Sequence, residues 1–142
     1  IIEMTDSTIA GKPWALWKIV IVTAIASAIG NLVLMMLTIS SLAVPDSFAP
    51  LTPAPIVLWS FIGAFGAIGA YALIRRRSDS PQKVFAVVSV LVLILSFLPD
   101  VVLVNVAEGP FGGATTGAII VLMIIHVISF AIVVPMLRSL AK

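Results

Sequence analysis

Apolar residues gather into four long runs, about residues 14–39, 54–74, 84–104 and 115–137, parted by short segments rich in Pro, Gly and charged side chains. A helix needs about 20 largely apolar residues to cross a bilayer, and each run meets that length. The pattern predicts an all-α, membrane-spanning four-helix bundle. Short connections make neighbouring spans antiparallel, giving up-down-up-down topology. All of residues 1–142 then form one transmembrane domain.

Local chemistry marks the ends of the runs. Pro13 suits a first helical position, and Trp14 and Trp17 belong at headgroup level. Ser41-Leu42-Ala43 loosely resembles a signal-peptide cleavage site, but the apolar stretch from Ile19 to Leu37 outruns the usual h-region of about 7–15 residues. The segment is therefore read as a span. Pro45, Pro50, Pro53 and Pro55 surround Asp46 and predict a stiff extended connection between spans 1 and 2, with Thr52-Pro53 opening span 2. Ser80-Pro81 repeats that opening before span 3, where Pro99 predicts a kink or an end. Gly112 and Gly113 follow Pro110-Phe111 in a tight turn, Thr115 or Thr116 caps span 4, and Pro135 falls in its last turn.

Small residues recur in span 2. Gly63, Gly66 and Gly69 alternate with Ala64, Ala67 and Ala70, leaving one side of the helix nearly flat. Such a face lets a second helix approach closely, either within the bundle or from another subunit.

Polar residues within the runs are few. Thr23, Ser27 and Asn31 recur at every fourth position and Thr38 follows seven later, so span 1 carries one polar stripe. His126 and Ser129 share a face of span 4 with Leu122 and Val133. Asn31 lies 13 residues beyond Lys18 and His126 lies 12 before Arg138, which puts both roughly 18–20 Å above the same membrane face. Spans 1 and 4 are expected to turn these faces together, with Asn31 and His126 in or near hydrogen-bond reach. Asp100, roughly 25 Å beyond Lys83, is expected at the outer interface, at a different depth from His126.

Charge then orients the bundle. Every Lys and Arg lies at one set of ends: Lys12 and Lys18, then Arg75, Arg76, Arg77 and Lys83, then Arg138 and Lys142. The connections at about 40–54 and 104–114 have none. Basic residues beside spans resist translocation, so both termini are expected in the cytoplasm of a multi-pass protein of a bacterial cytoplasmic or internal membrane. With 61% hydrophobic and 10% charged residues, the chain lacks the quarter or so of charged positions that covers a soluble domain. A nucleic-acid role needs a continuous basic surface, which three adjacent arginines do not form. They are read as a topology anchor touching anionic lipid headgroups.

The absence of cysteine excludes disulfides, thiol catalysis and iron–sulfur ligation. One His is too few for a zinc site of three or four ligands or for bis-His haem within one chain. A five-coordinate haem or chlorophyll on His126 stays open. No catalytic constellation is predicted, since Asp100 and His126 are expected apart, and no phosphate loop or metal site is read.

The succession of Trp14-Ala15-Leu16-Trp17-Lys18, Asn31-Leu32, Leu51-Thr52-Pro53, Ser96-Phe97-Leu98-Pro99 and Met123-Ile124-Ile125-His126-Val127 resembles a bacterial family of small four-span membrane proteins of unknown function, over about residues 14–138. The resemblance implies the bundle and draws attention to Asn31 and His126. It implies no activity.

Three functions remain in view. The leading one is a non-enzymatic accessory or scaffold subunit of a larger membrane complex, associating with other subunits or with itself and in contact with lipid. The second is a binding protein for a hydrophobic cofactor (chlorophyll, carotenoid, quinone or haem) through His126, with Asn31, Ser27 and Ser129 beside it. The third is a small oligomeric transporter; an enzyme acting on lipid ranks below all three. The charge pattern itself is open to test: a reporter active only in the cytoplasm should be active when fused after Lys142 and silent when inserted at Asp46, and the reverse result would invert the topology.

Overall fold

A computed structural model describes residues 15–109 and 111–141. Lys12, Pro13, Trp14, Pro110 and Lys142, on which some of the sequence expectations rest, lie outside the described residues. Four helices carry the fold: α1 (Leu16–Thr38), α2 (Pro53–Arg77), α3 (Pro81–Val102) and α4 (Thr116–Leu140). Each is long and apolar enough to cross a membrane. Helix is the form such runs must take in lipid, because it satisfies every backbone N–H and C=O within the segment.

The ends follow local rules, with differences. Pro53 and Pro81 occupy the first positions of α2 and α3, but neither Thr52 nor Ser80 caps with its side chain; the Thr52 hydroxyl donates instead to the Ala49 carbonyl at 2.7 Å. Thr115 does cap α4, its oxygen accepting from the Ala118 N–H at 3.1 Å. Arg75, Arg76 and Arg77, expected in the connection, form the last turn of α2, where cations offset the negative end of the helix dipole. Spans 2 and 3 are thereby joined by residues 78–80 alone. Neither proline ends its helix. Pro99 lies inside α3, which continues to Val102 and a short 3-10 turn at Leu103–Asn105, and Pro135 lies inside α4, which runs to Leu140.

The helices form a ring in chain order. α1 packs against α2 and α4, α3 packs mainly on α4, and the seam between α2 and α3 is the loosest. The interior has three layers. An apolar cluster fills the end that bears the basic residues, built from Ile19, Val20, Ala24, Ile68, Tyr71, Phe85 and Leu137 among others. A second fills the opposite end, where Val44, Phe48 and Leu51 of the first connection fold down onto Met35, Ile56, Ala118 and Val121. Between them the core is polar.

Polar contacts also clamp the basic end. The Tyr71 hydroxyl donates to the Ala141 carbonyl at 3.2 Å and accepts from Gln82 Nε2 at 3.0 Å, while Arg138 Nε donates to Gln82 Oε1 at 3.3 Å. Tyr71 meets Phe85 edge to face at 5.3 Å between centroids. One chain of contacts thus ties α2, α3 and α4 together at that end.

Glycine matters most at the other end. A methyl at Gly117 would collide with the Leu42 backbone carbonyl, so the first connection can seat on α4 only if residue 117 has no side chain. The span-2 glycines differ. Apart from the adjoining residues and the backbone of α2 itself, no atom among the described residues lies within 4 Å of the place a Cβ would take at Gly63, Gly66 or Gly69. Within this chain the flat face of α2 is therefore not a close helix contact; the volume its small residues release stays open. Gly117→Ala should lower unfolding stability in detergent by about 1–3 kcal/mol through overpacking, whereas Gly69→Ala should leave it unchanged or raise it by up to about 1 kcal/mol through helix propensity. Thermal or denaturant unfolding of the two variants checks both.

Candidate functional site

The polar layer is built on Asn31. Its residue is 1% exposed, as Thr23 and Ser27 (both 0%) are on the same face of α1. Asn31 Nδ2 donates to Ser60 Oγ of α2 at 3.0 Å and to Ser129 Oγ of α4 at 2.9 Å. Ser27 Oγ donates to Ser129 Oγ at 3.3 Å. Three helices therefore meet on one amide. Thr23, though in the same stripe, is spent on its own helix, donating to the Ile19 and Val20 carbonyls; Thr38 likewise bonds the Leu34 carbonyl.

Ser60 was not singled out in the sequence. A lone serine next to Trp59 carries no pattern of its own, and only the fold shows it opposite Asn31. Gly30, also passed over, marks the α1–α4 approach: a Cβ there would come within 2.8 Å of Ile132 Cδ1.

Asn31 and His126 are not hydrogen-bonded to each other; Asn31 reaches Ser129, one turn from His126 on α4. His126 turns to Asp100, its Nδ1 lying 2.9 Å from Asp100 Oδ2. Asp100 itself is 4% exposed, and its contact with His126 corrects the expectation that the two lie apart. The cause is the direction of side chains on antiparallel helices. Each Cα–Cβ bond tilts toward its own helix N-terminus, so Asp100 on α3 leans toward the basic end and His126 on α4 leans toward the other. Measuring depth along the backbone leaves out both leans. Their distance is that of an ion pair, and neither atom has another partner. The Nδ1 edge of the ring is buried while the His126 side chain is 34% exposed, so the exposure belongs to the other edge. Phe97 meets that ring edge to face at 6.2 Å between centroids.

Both polar groups line one cavity of about 710 Å³ along the loose α2–α3 seam, with Ser27, Asn31 and Ser129 inside it and Asp100 and His126 toward the connection end. Ser129 and His126 are three residues apart on α4, so the two polar groups are separated by roughly 4.5 Å of helix rise. Gly63, Gly66, Ala67 and Ala70 form the α2 wall, and Val88, Val92 and Leu93 much of the α3 wall. Among the described residues, three buried side-chain polar atoms stand out: Asn31 Oδ1 has no partner, and Asp100 Oδ2 and His126 Nδ1 have none but each other. All three belong to residues lining this cavity.

Such an arrangement can hold a molecule and hydrogen-bond it. Asp100 and His126 have the carboxylate–imidazole half of a nucleophilic triad, but no serine hydroxyl is hydrogen-bonded to the imidazole among the described residues. Nor do those residues contain a cluster of three His, Cys, Asp or Glu side chains.

The fold and composition define a small multi-pass membrane protein, a four-helix bundle with a polar layer at mid-core. Residues 20–142 match the model of a family described as a family of unknown function, DUF6069, and the chain belongs to that family. No curated protein matches the chain, and no solved structure does.

The polar stripe generates a contrast within one helix face. Asn31→Leu removes hydrogen bonds to two other helices and should cost about 1–2 kcal/mol, the upper part of the range for such bonds in membranes. Thr23→Val keeps shape and loses only bonds within α1, so its cost should stay below about 0.5 kcal/mol. Equal losses for the two in detergent unfolding would deny Asn31 its bridging role.

Proposed function

We propose that this protein binds a lipid-soluble small molecule between α2, α3 and α4, entering from the bilayer through the α2–α3 seam. One observation carries this reading: Asn31 Oδ1, a buried polar atom without a hydrogen-bond partner, belongs to a residue lining a large cavity that the Asp100–His126 pair also lines. Buried polar groups are rarely left without partners, and inside a bilayer the cost of doing so is several kcal/mol. A cavity of about 710 Å³ falls in the range of ligand sites, which combine apolar walls with a few placed polar groups. The apolar walls would hold the body of the molecule, and Asn31, Asp100 and His126 would fix its polar end. Quinones, carotenoids and tetrapyrroles are among the molecules of this class. For a tetrapyrrole, Asp100 against Nδ1 would orient the imidazole as a carboxylate orients a metal-bound histidine.

An accessory subunit is the second reading, favoured by the open glycine face of α2. Gly69 lies outside the cavity lining and has nothing within 4 Å of its Cβ position, so a helix of another subunit could approach there. With the basic ends in the cytoplasm, the cavity's Asp100–His126 end lies nearer the opposite face of the membrane.

Gentle extraction into lipid nanodiscs, followed by mass spectrometry and absorption spectroscopy of the bound fraction, tests the main reading. A molecule enriched over the surrounding lipid is expected, reduced at least about tenfold in Gly66→Phe, whose ring would fill the cavity. A bound fraction identical to bulk lipid in both proteins would refute the reading. A chromophore in the bound fraction would assign the pigment class.

A further inference from the structure

The hydrogen-bond inventory of the cavity points to the chemistry of what it holds. An asparagine amide offers two N–H donors and one carbonyl acceptor, and which end faces which neighbour is settled here by Ser60. The Ser60 hydroxyl gives its one hydrogen to the Ile56 carbonyl at 2.7 Å. Toward Asn31 it can therefore only accept, so the atom 3.0 Å away must be the amide nitrogen. The second N–H goes to Ser129 Oγ. Both donors are then used, and Oδ1 is left as a buried acceptor with no donor.

Other hydroxyls of the lining are spent in the same way. Ser89 and Ser96 give their hydrogens to the Phe85 and Leu93 carbonyls, at 2.7 and 2.6 Å, as Ser60 does to its own helix. Ser27 donates to Ser129. Asp100 adds carboxylate oxygens, which are acceptors when ionised. Trp59 carries an indole N–H, but its residue is 63% exposed. Around Asn31 the lining is thus left with an acceptor that has no donor; the donors that remain are the Ser129 hydroxyl hydrogen, whose oxygen already accepts from Ser27 and Asn31, and an imidazole N–H of His126.

We infer that the molecule held here presents a hydroxyl group to Asn31 Oδ1 from a long apolar body, and that the protein selects lipid-soluble alcohols over their ether, ester or carbonyl counterparts. The inference rests on the ligand-binding reading above and adds to it the sense of the hydrogen bond. A site built around a hydrogen bond rejects analogues lacking that group because its own polar atom is then stranded. An ether or carbonyl would also set one acceptor against another.

Geranylgeraniol and its methyl ether, which differ only in the hydroxyl hydrogen and one methyl, are suitable probes for the purified full chain in nanodiscs. The alcohol should bind at least about tenfold more tightly than the ether, the effect of one unsatisfied buried acceptor. Asn31→Leu should bring the ratio toward one. Should Asn31→Leu not fold, the ratio in the unaltered protein still decides. Equal binding of alcohol and ether would overturn the inference and leave the ligand-binding reading standing. Failure of both probes, with an enriched molecule in the native extract, would also overturn it. An extract without an enriched molecule would remove the underlying reading itself.

Discussion

A bilayer interior contains no water to complete a hydrogen bond, and the rest of this molecule is arranged around that constraint at Asn31. Its amide reaches Ser60 on α2 and Ser129 on α4, so a side chain that lipid could not accommodate becomes the point where three helices are held in register. Between lipid-like apolar faces there is little hydrophobic drive to prefer one rotation of a helix over another. A polar layer supplies that preference, since turning any of the three helices away would leave donors unmet. The two apolar clusters on either side fill space; the polar layer between them selects which faces look inward.

The same layer explains why the core is not closed. α2 meets the interior with Gly63, Gly66, Ala67 and Ala70, whose small size would let another helix approach. α3 does not take that place. It leans on α4 and is held at its far end by Asp100 against His126 and at its near end by Gln82 between Tyr71 and Arg138. Anchored at both ends, α3 spans the opening, and the volume beside α2 becomes a cavity with polar atoms at its floor. Asn31 thus belongs to both features: its nitrogen joins three helices, and it lines the cavity with an oxygen left without a partner.

Where reasoning from spacing missed, it missed on direction. Asp100 and His126 were placed at different levels by counting residues from Lys83 and Arg138, which tracks the backbone only. Side chains on antiparallel helices lean in opposite senses along the membrane normal, which brings Asp100 and His126 together, and no periodicity in one helix reports the polarity of its neighbour. The glycine face failed for a related reason. Spacing of three and four shows that a helix could approach, but whether one does depends on where the others are already anchored.

Four apolar runs in a chain with few charges leave helix as the only spanning form, so the number of spans, their approximate ends and the buried stripe of α1 are legible in the sequence alone. Such features are local: they follow from backbone satisfaction in lipid and from the period of one helix. The pairing of Asn31 with Ser60, of Asp100 with His126, and the opening beside the span-2 glycines come from helix rotation and tilt relative to one another. Those are set by contacts between residues far apart in the chain, and they appear only when all four helices are in place together.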